Sequence, residues 1–82
     1  MKNYQQIKDE VIKIISDTLN ISHMEISEKS SISDLSEDSI HLFGLLIAFE
    51  KTYGIETTYE DIVRLHSVGD IVEYVQRVKF TA

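Results

Sequence analysis

An aspartate and a serine stand side by side where an amphipathic segment begins, and this pair is the strongest chemical signal in the chain. Asp38 and Ser39 come immediately before the apolar residue Ile40. Unpaired backbone N–H groups and the positive end of a helix dipole favour a phosphate group at such a position, so the serine hydroxyl could carry a phosphodiester. Aspartate and serine are also common N-caps, and on local grounds alone this structural role is favoured.

Other residues that could do chemistry are sparse. The chain has no cysteine, which excludes disulfides, thiolate nucleophiles and thiolate metal sites. His23, His41 and His66 lack the spacing of zinc ligands, so we predict no metal site. Asp38, Ser39 and His41 are neighbours on one helical turn, an arrangement that seldom forms a catalytic triad. We therefore predict no catalytic residues. His41 could contact a phosphate or sense pH, although a lone surface histidine usually does neither.

Four helices are predicted to position these residues, from about Tyr4 to Leu19, Ser39 to Tyr53, Tyr59 to Leu65 and Val68 to Val78. Apolar residues recur at helical spacing, and each segment has a cap signal, namely Asn3 with Gln6, Gly54 after the second helix, Thr58 with Asp61, and Ser67 with Asp70. The fourth segment is rich in β-branched residues, so a strand is the competing prediction. Its cap signal and the helical spacing of its apolar residues favour a helix. The buried stripe of this helix would consist of Val68, Ile71, Val72, Val75 and Val78.

A long serine-rich loop, about residues 20–38, joins the first two predicted helices. Scattered apolar side chains are expected to hold this loop against the body, and a short helical turn within it is possible. The predicted fold is all-α: a small four-helix bundle of three longer helices and one short helix, with a long first connection. We expect residues 1–82 to form a single domain.

The second predicted helix is apolar on two sides. One side, expected to face the core, carries Leu42, Leu45, Leu46, Phe49 and Tyr53. The nearly opposite side carries Ile40, Phe43 and Ile47. Such a helix must either bury both sides or present one to a partner. The pattern leaves open whether the long loop covers the second side or whether it is a docking surface.

Composition limits the partners. The 82 residues include 14 acidic and 8 basic side chains, giving a net charge of −6. This balance argues against a nucleic acid and favours partners with basic surfaces. No apolar run approaches the length of a membrane span, and the first residues lack a signal-peptide core, so we expect a cytoplasmic protein without stable membrane insertion. No feature of the sequence demands more than a monomer.

The order and spacing of these segments resemble the acyl carrier protein family over nearly the whole chain. The family's D-S-L signature is present as Asp38-Ser39-Ile40, within the segment Asp34-Leu35-Ser36-Glu37-Asp38-Ser39-Ile40. The similarity continues through Leu45–Glu50, Tyr53–Ile55, the turn His66–Val68 and Ile71–Val75. The resemblance implies a carrier protein rather than an enzyme.

The resemblance also implies a cofactor and partners. The family carries a 4′-phosphopantetheine arm from coenzyme A on the signature serine, here Ser39, and Asp38 would be the signature acid that helps position the modification. The arm's thiol would hold acyl groups as thioesters, which suits a chain without cysteine. A phosphopantetheinyl transferase and acyl-loading and acyl-processing enzymes would be the partners. Their contacts would lie on or beside the second helix, at Glu37, Ile40, His41, Phe43, Gly44 and Ile47.

The chain departs from the family pattern at several positions. Ser36 stands where the family usually has glycine, and Thr57-Thr58 replaces an apolar-proline pair. His41 and Gly44 stand where acids are usual, two and five residues after the signature serine. This loss weakens the electrostatic match to standard fatty-acid-synthesis enzymes and favours a carrier for a dedicated pathway over the general fatty-acid carrier. The cargo pathway stays open between fatty-acid, polyketide and other specialised acyl pathways. Gly44 is either tolerated drift or a point where a partner or the arm approaches the backbone closely.

Two other functions remain compatible with the residues. An aminoacyl or peptidyl carrier would share the signature serine and the arm, so the sequence separates it poorly from an acyl carrier. An acidic helical interaction module without a prosthetic group would use Ser39 only as part of a cap and would bind a groove through Ile40, Phe43 and Ile47.

Overall fold

The computed structural model describes residues 2–36, 38–62 and 64–80, without the side chains of Ser39, Tyr59 and Ile62. Its helices are α1 (Tyr4–Leu19), α2 (Ile32–Ser36), α3 (Ser39–Tyr53), α4 (Tyr59–Ile62) and α5 (Val68–Val75). A 3₁₀ turn lies at His23–Glu25 and a π-helical turn at Gln76–Phe80. No strand occurs in these ranges, and the predicted all-α class is confirmed. None of the described helices is long and apolar enough to cross a bilayer.

Helix α1 has the predicted bounds because its ends carry strong signals. Asn3 and Gln6 form a reciprocal capping box: each side-chain oxygen accepts the other residue's backbone N–H at 2.9 Å. Asn20 ends the helix in the left-handed conformation, with φ at 57°. Ile7, Val11 and Ile15 line one side and are completely buried.

Helix α1 packs against both α3 and α5, and the core lies between these three helices. The core residues are aliphatic or aromatic, and most of them recur at helical spacing on the inward faces of the helices. The cluster consists of Ile7, Val11, Ile15, Ile26, Ile32, Leu45, Phe49, Tyr53, Val68, Ile71, Val72 and Val75. Ile26 and Ile32 in this cluster belong to the long connection. Their burial confirms that the connection is held to the body by its side chains.

The long loop is further attached by backbone hydrogen bonds to the turn before α5. The N–H of Ile32 donates to His66 O at 2.9 Å, and the N–H of Val68 donates to Ser30 O at 3.0 Å. The N–H of Gly69 donates to Glu28 O at 2.8 Å. These bonds fix the segment that leads into α2, and α2 in turn packs against α3.

The short helical turn that was possible within the long loop is present as α2. Two helix ends differ from the expected bundle. The third predicted helix ends at Ile62 rather than Leu65, because the N–H of Arg64 bonds Asp61 O three residues back and closes a tight turn. The fourth is α-helical only to Val75, and the wider π turn that follows leaves Val78 48% exposed, so its placement in the buried stripe was wrong. The competing strand prediction for this segment was also wrong.

Candidate functional site

The site is built on the first turn of α3. Asp38 is the N-cap, with extended backbone, and its Oδ1 accepts the backbone N–H of His41 at 2.9 Å. Ser39 is the first residue of the helix, as the sequence predicts. The Ser39 hydroxyl and all of Glu37, two of the predicted site groups, lie outside the part of the chain that the structure describes. The N-cap of α3 is thus Asp38, the residue immediately before Ser39.

Asp38 also pairs with the ring of His41. The Nδ1 atom of His41 lies 2.9 Å from Oδ1 of Asp38, and both side chains are about half exposed. The backbone N–H of His41 is the main cause that holds the pKa of Asp38 below its ordinary value, and the His41 ring adds to this effect. The carboxylate is thus kept ionised at the helix start by groups of its own turn.

The surroundings of Ser39 fit a phosphodiester and a long substituent. Its neighbours Asp38 and Ile40 are both exposed, so an arm on the serine would leave the protein without displacing packed side chains. Helix α3 has 15 residues, and its N-terminal end carries the positive end of the dipole. A single negative charge on a phosphodiester would be stabilised there.

Ser36 occupies the position where a glycine was expected from the resemblance, and it has a defined structural place. Its side chain is buried, and its hydroxyl donates to the carbonyl of Ile32 at 2.8 Å. This bond runs back along α2 by four residues and satisfies the hydroxyl inside the fold. Ser36 therefore ends α2 without disturbing the start of α3.

The outward side of α3 is apolar and uncovered. Ile40, Phe43 and Ile47 are 81%, 62% and 50% exposed, whereas the opposite side of the helix is buried in the core. We call these three residues the outer face. The interpretation in which the long loop folds over them is wrong, because the loop lies against the turn before α5 instead.

Gly44 lies beside the outer face, in the middle of α3. A Cβ built at this residue would lie 3.9 Å from Cγ2 of Thr18, an ordinary van der Waals distance. No close approach of the described chain therefore requires glycine at this position.

The outer face continues into an open recess at the C-terminal end of α3, which the sequence analysis did not identify. Its volume is about 500 Å³, and it is lined by Ile47, Glu50, Lys51, Ile55, Glu56 and Thr57. Thr57 shapes it, because its N–H and its hydroxyl donate to Oε2 of Glu50 at 2.9 and 3.1 Å. The available sequence signal was Ile55, an apolar residue directly after the helix-ending Gly54. The departure of Thr57 from the family pattern thus has a structural role.

Two of the histidines lie at helix starts, His41 in the first turn of α3 and His66 just before α5. Within residues 2–36, 38–62 and 64–80, no three histidine or acidic side chains converge as metal ligands would. The nearest partner of His41 is the Asp38 carboxylate, and the backbone N–H of His66 bonds Asp70 at the start of α5. These arrangements stabilise helix N-termini.

Comparisons with known proteins agree with the geometry. A family model described as "Phosphopantetheine attachment site" matches residues 9–75. The acyl carrier protein of Thermotoga maritima is 32% identical over 78 residues, which cover 94% of this chain and 96% of the relative. The acyl carrier proteins of Chlamydia muridarum and Syntrophus aciditrophicus are 37% and 32% identical over 71 residues. Each alignment covers 85% of this chain, with 92% and 89% of the relative.

Proposed function

Because this chain belongs to the acyl carrier protein family, we propose that Ser39 bears the family's covalent 4′-phosphopantetheine and that the chain carries acyl groups in a specialised pathway. Members of this family are carriers and not catalysts. The arm supplies a terminal thiol, on which cargo is held as a thioester. The proposal treats residues 1–82 as one carrier domain whose own side chains anchor the arm and receive partner enzymes.

One observation carries the assignment to Ser39. This residue is the first of α3, directly after a cap whose carboxylate is held ionised by its own turn. A phosphodiester at this position would lie at the positive end of the helix dipole. The arm would extend into solvent, because the neighbouring residue Ile40 is exposed. Asp38 fixes this geometry through its bonds to His41 and is, in our proposal, the acid that orients the serine for modification.

The test is intact mass measured before and after incubation of the full chain with coenzyme A and a broad-specificity phosphopantetheinyl transferase. We expect the wild-type chain to gain one arm and Ser39→Ala to gain none. Ser33→Ala is a matched control, because Ser33 is an exposed serine on α2, six residues away in sequence. It should gain the arm as the wild type does. A folded wild-type chain that gains nothing, or an arm that persists in Ser39→Ala, would refute the assignment.

The pathway is proposed from the departures on α3. His41 and Gly44 replace acids that general fatty-acid enzymes are expected to contact, so such enzymes should load the arm-bearing chain slowly. A loading assay on the arm-bearing chain separates the aminoacyl alternative. In a parallel reaction, amino acids and an adenylating enzyme are supplied in place of acyl donors and the fatty-acid enzyme. Rapid loading by a general fatty-acid enzyme would argue against the specialised pathway, and preferential aminoacyl loading would identify the other carrier class.

The partners in this proposal are the transferase and the enzymes that load and process the cargo. The outer face, with His41 and Gly44 beside it, is the proposed contact surface, and Glu37 would add an acid next to the attachment point. The net charge of −6 is expected to steer basic partner surfaces towards the chain from a distance.

A further inference from the structure

The charge on α3 is unusually low for a chain with so many acids. The helix sequence, residues 39–53, contains one acid and one base, Glu50 and Lys51, while the chain as a whole has a net charge of −6. Most of the acidic side chains therefore lie on other elements. The outer face occupies the middle of this nearly neutral helix and is formed by large apolar side chains.

One described acid at each end of the outer face, Asp38 and Glu50, already has hydrogen-bond partners inside the chain. At the N-terminal end, Asp38 accepts from the backbone and lies against the ring of His41. At the C-terminal end, Oε2 of Glu50 accepts two hydrogen bonds from Thr57, and the cation of Lys51 is adjacent in sequence. A basic partner group that approached either acid would have to compete with these bonds.

From these observations we infer that the partner surface which receives α3 is a concave apolar surface and not a basic one. This inference rests on the proposed carrier function and specifies its partner chemistry. Phe43 is the expected central anchor, since aromatic side chains dominate the energy of protein interfaces, with Ile40 and Ile47 on either side. The acids of other elements affect the rate of encounter, but the contact itself is apolar.

The recess at the end of α3 adds a second apolar residue beside the outer face. It begins at Ile47, so it is continuous with the outer face, and Ile55 provides a second apolar wall. One of its two acids, Glu50, accepts hydrogen bonds from Thr57, and the other, Glu56, is exposed. The apolar outer face therefore ends at a recess of mixed lining, in which Ile47 and Ile55 are the walls that an aliphatic side chain of the partner could contact.

The experiment compares two phosphopantetheinyl transferases, one with an apolar carrier-binding surface and one with a basic surface, on the full-length chain. We expect a lower KM with the apolar-surface enzyme. Because that contact lacks ion pairs, its KM should change little between low salt and about 1 M salt, where the Debye length is only about 3 Å. The basic-surface enzyme should give a higher KM, which should fall when acids are introduced by His41→Asp with Gly44→Glu.

Phe43→Ala provides the direct test of the outer face. This variant should raise the KM of the apolar-surface enzyme about tenfold, the usual effect of removing an interface anchor. Met24→Ala is the matched control, because Met24 is a large apolar residue that is 95% exposed but lies in the 3₁₀ turn of the long loop and not on α3. It should leave KM unchanged. Both residues are exposed, so circular dichroism should show the same helical fold in both variants.

Two results would overturn the inference while leaving the carrier function intact. One is efficient modification in which the basic-surface enzyme has the lower KM for the wild type. The other is an equal KM for Phe43→Ala and Met24→Ala with the apolar-surface enzyme. The absence of any arm with either enzyme would instead refute the proposed attachment at Ser39.

Discussion

Aspartates at helix N-termini set the local electrostatics of this protein. Asp38, Asp61 and Asp70 each lie in or just before the first turn of a helix, and the pKa of each lies below its ordinary value. Hydrogen bonds from backbone N–H groups are the main cause for Asp38 and Asp70, and the Thr58 side chain is the main cause for Asp61. Such carboxylates stabilise the folded state only while they are ionised.

Asp70 gives a prediction for acid stability. Its Oδ2 accepts the N–H groups of His66 and Ser67 at 2.9 and 3.1 Å, and these bonds lower its pKa from 3.8. Its stabilising contribution is present above that unfolded value and is lost as the pH falls through the lower folded value. We expect Asp70→Asn to reduce the free energy of unfolding at pH 7 and to converge with the wild type at strongly acidic pH, as measured by urea denaturation across pH.

The control for this prediction is Asp17→Asn. Asp17 pairs with Lys13 at the surface of α1, and exposed pairs contribute little to stability. This variant should stay close to the wild type at every pH. A difference between Asp70→Asn and the wild type that is the same at pH 7 and at pH 2 would show that the charge of Asp70 is unimportant.

At the scale of elements, the fold depends on a close approach between the long loop and α5. A Cβ on Gly69 would lie only 3.1 Å from the carbonyl oxygen of Glu28, which also accepts the Gly69 N–H. Neighbouring backbone bonds, Ile32 N–H to His66 O and Val68 N–H to Ser30 O, restrict movement of that carbonyl. Glycine is needed here because of this approach, not because of its backbone angles.

Two glycines in helices should therefore respond in opposite directions to the same substitution. Gly69→Ala should lower the free energy of unfolding by about 1 kcal/mol or more, because the added methyl group crowds a fixed backbone oxygen. Gly44→Ala should raise it by roughly 0.5–1 kcal/mol, because alanine is the better helix former and its Cβ has an ordinary contact. Urea denaturation of both variants checks the signs, and stabilisation by Gly69→Ala would contradict the proposed crowding.

Helix boundaries could be predicted where a cap or a stop determines them. Asn3 and Gly54 gave correct ends for α1 and α3, since one accepts the first-turn N–H groups and the other adopts a left-handed conformation. The ends at Leu65 and Val78 were predicted from apolar spacing alone and were wrong. That spacing assumes a constant 3.6-residue turn, and the tight turn after Asp61 and the π turn after Val75 both break it.

The candidate site was predictable in part for a similar reason. The exposure of the outer face could not be decided from sequence, because the pattern shows that α3 is apolar on two sides but does not show where the loop lies. The backbone bonds between residues 28–32 and 66–69 decide this, and they depend on contacts distant in the chain. The pairing of Asp38 with His41, by contrast, follows from their i, i+3 spacing at a helix start.

For the whole molecule, stability and function are expected to rest on different apolar residues. The core is small, and a domain of this size has only about 0.05–0.15 kcal/mol of stability per residue. Ile15 is completely buried in this core, whereas Ile47 is half exposed on the outer face. The same truncation at the two positions should therefore separate folding from binding.

Ile15→Ala should lower the free energy of unfolding by about 2–5 kcal/mol, because it leaves a cavity between α1 and its neighbours. Ile47→Ala should change it by less than about 1 kcal/mol and should instead raise the KM of the apolar-surface transferase. Thermal denaturation and the modification assay on both variants measure the two effects. A large loss of stability in Ile47→Ala would mean that the outer face belongs to the core.

The contacts at the far end of α3 bring the two ends of the described chain together. The Nζ of Lys2 lies 5.8 Å from the centre of the Phe80 ring, and that ring packs edge-on against Tyr53 with 6.1 Å between centroids. Ser39 lies at the other end of α3, about 22 Å away for a helix of 15 residues. Lys2 and Phe80 are thus in side-chain contact at the end of α3 that is farther from the proposed attachment position. An attachment made near Phe80 would therefore lie about one helix length from residue 39, so the carrier could be immobilised there without obstructing the arm.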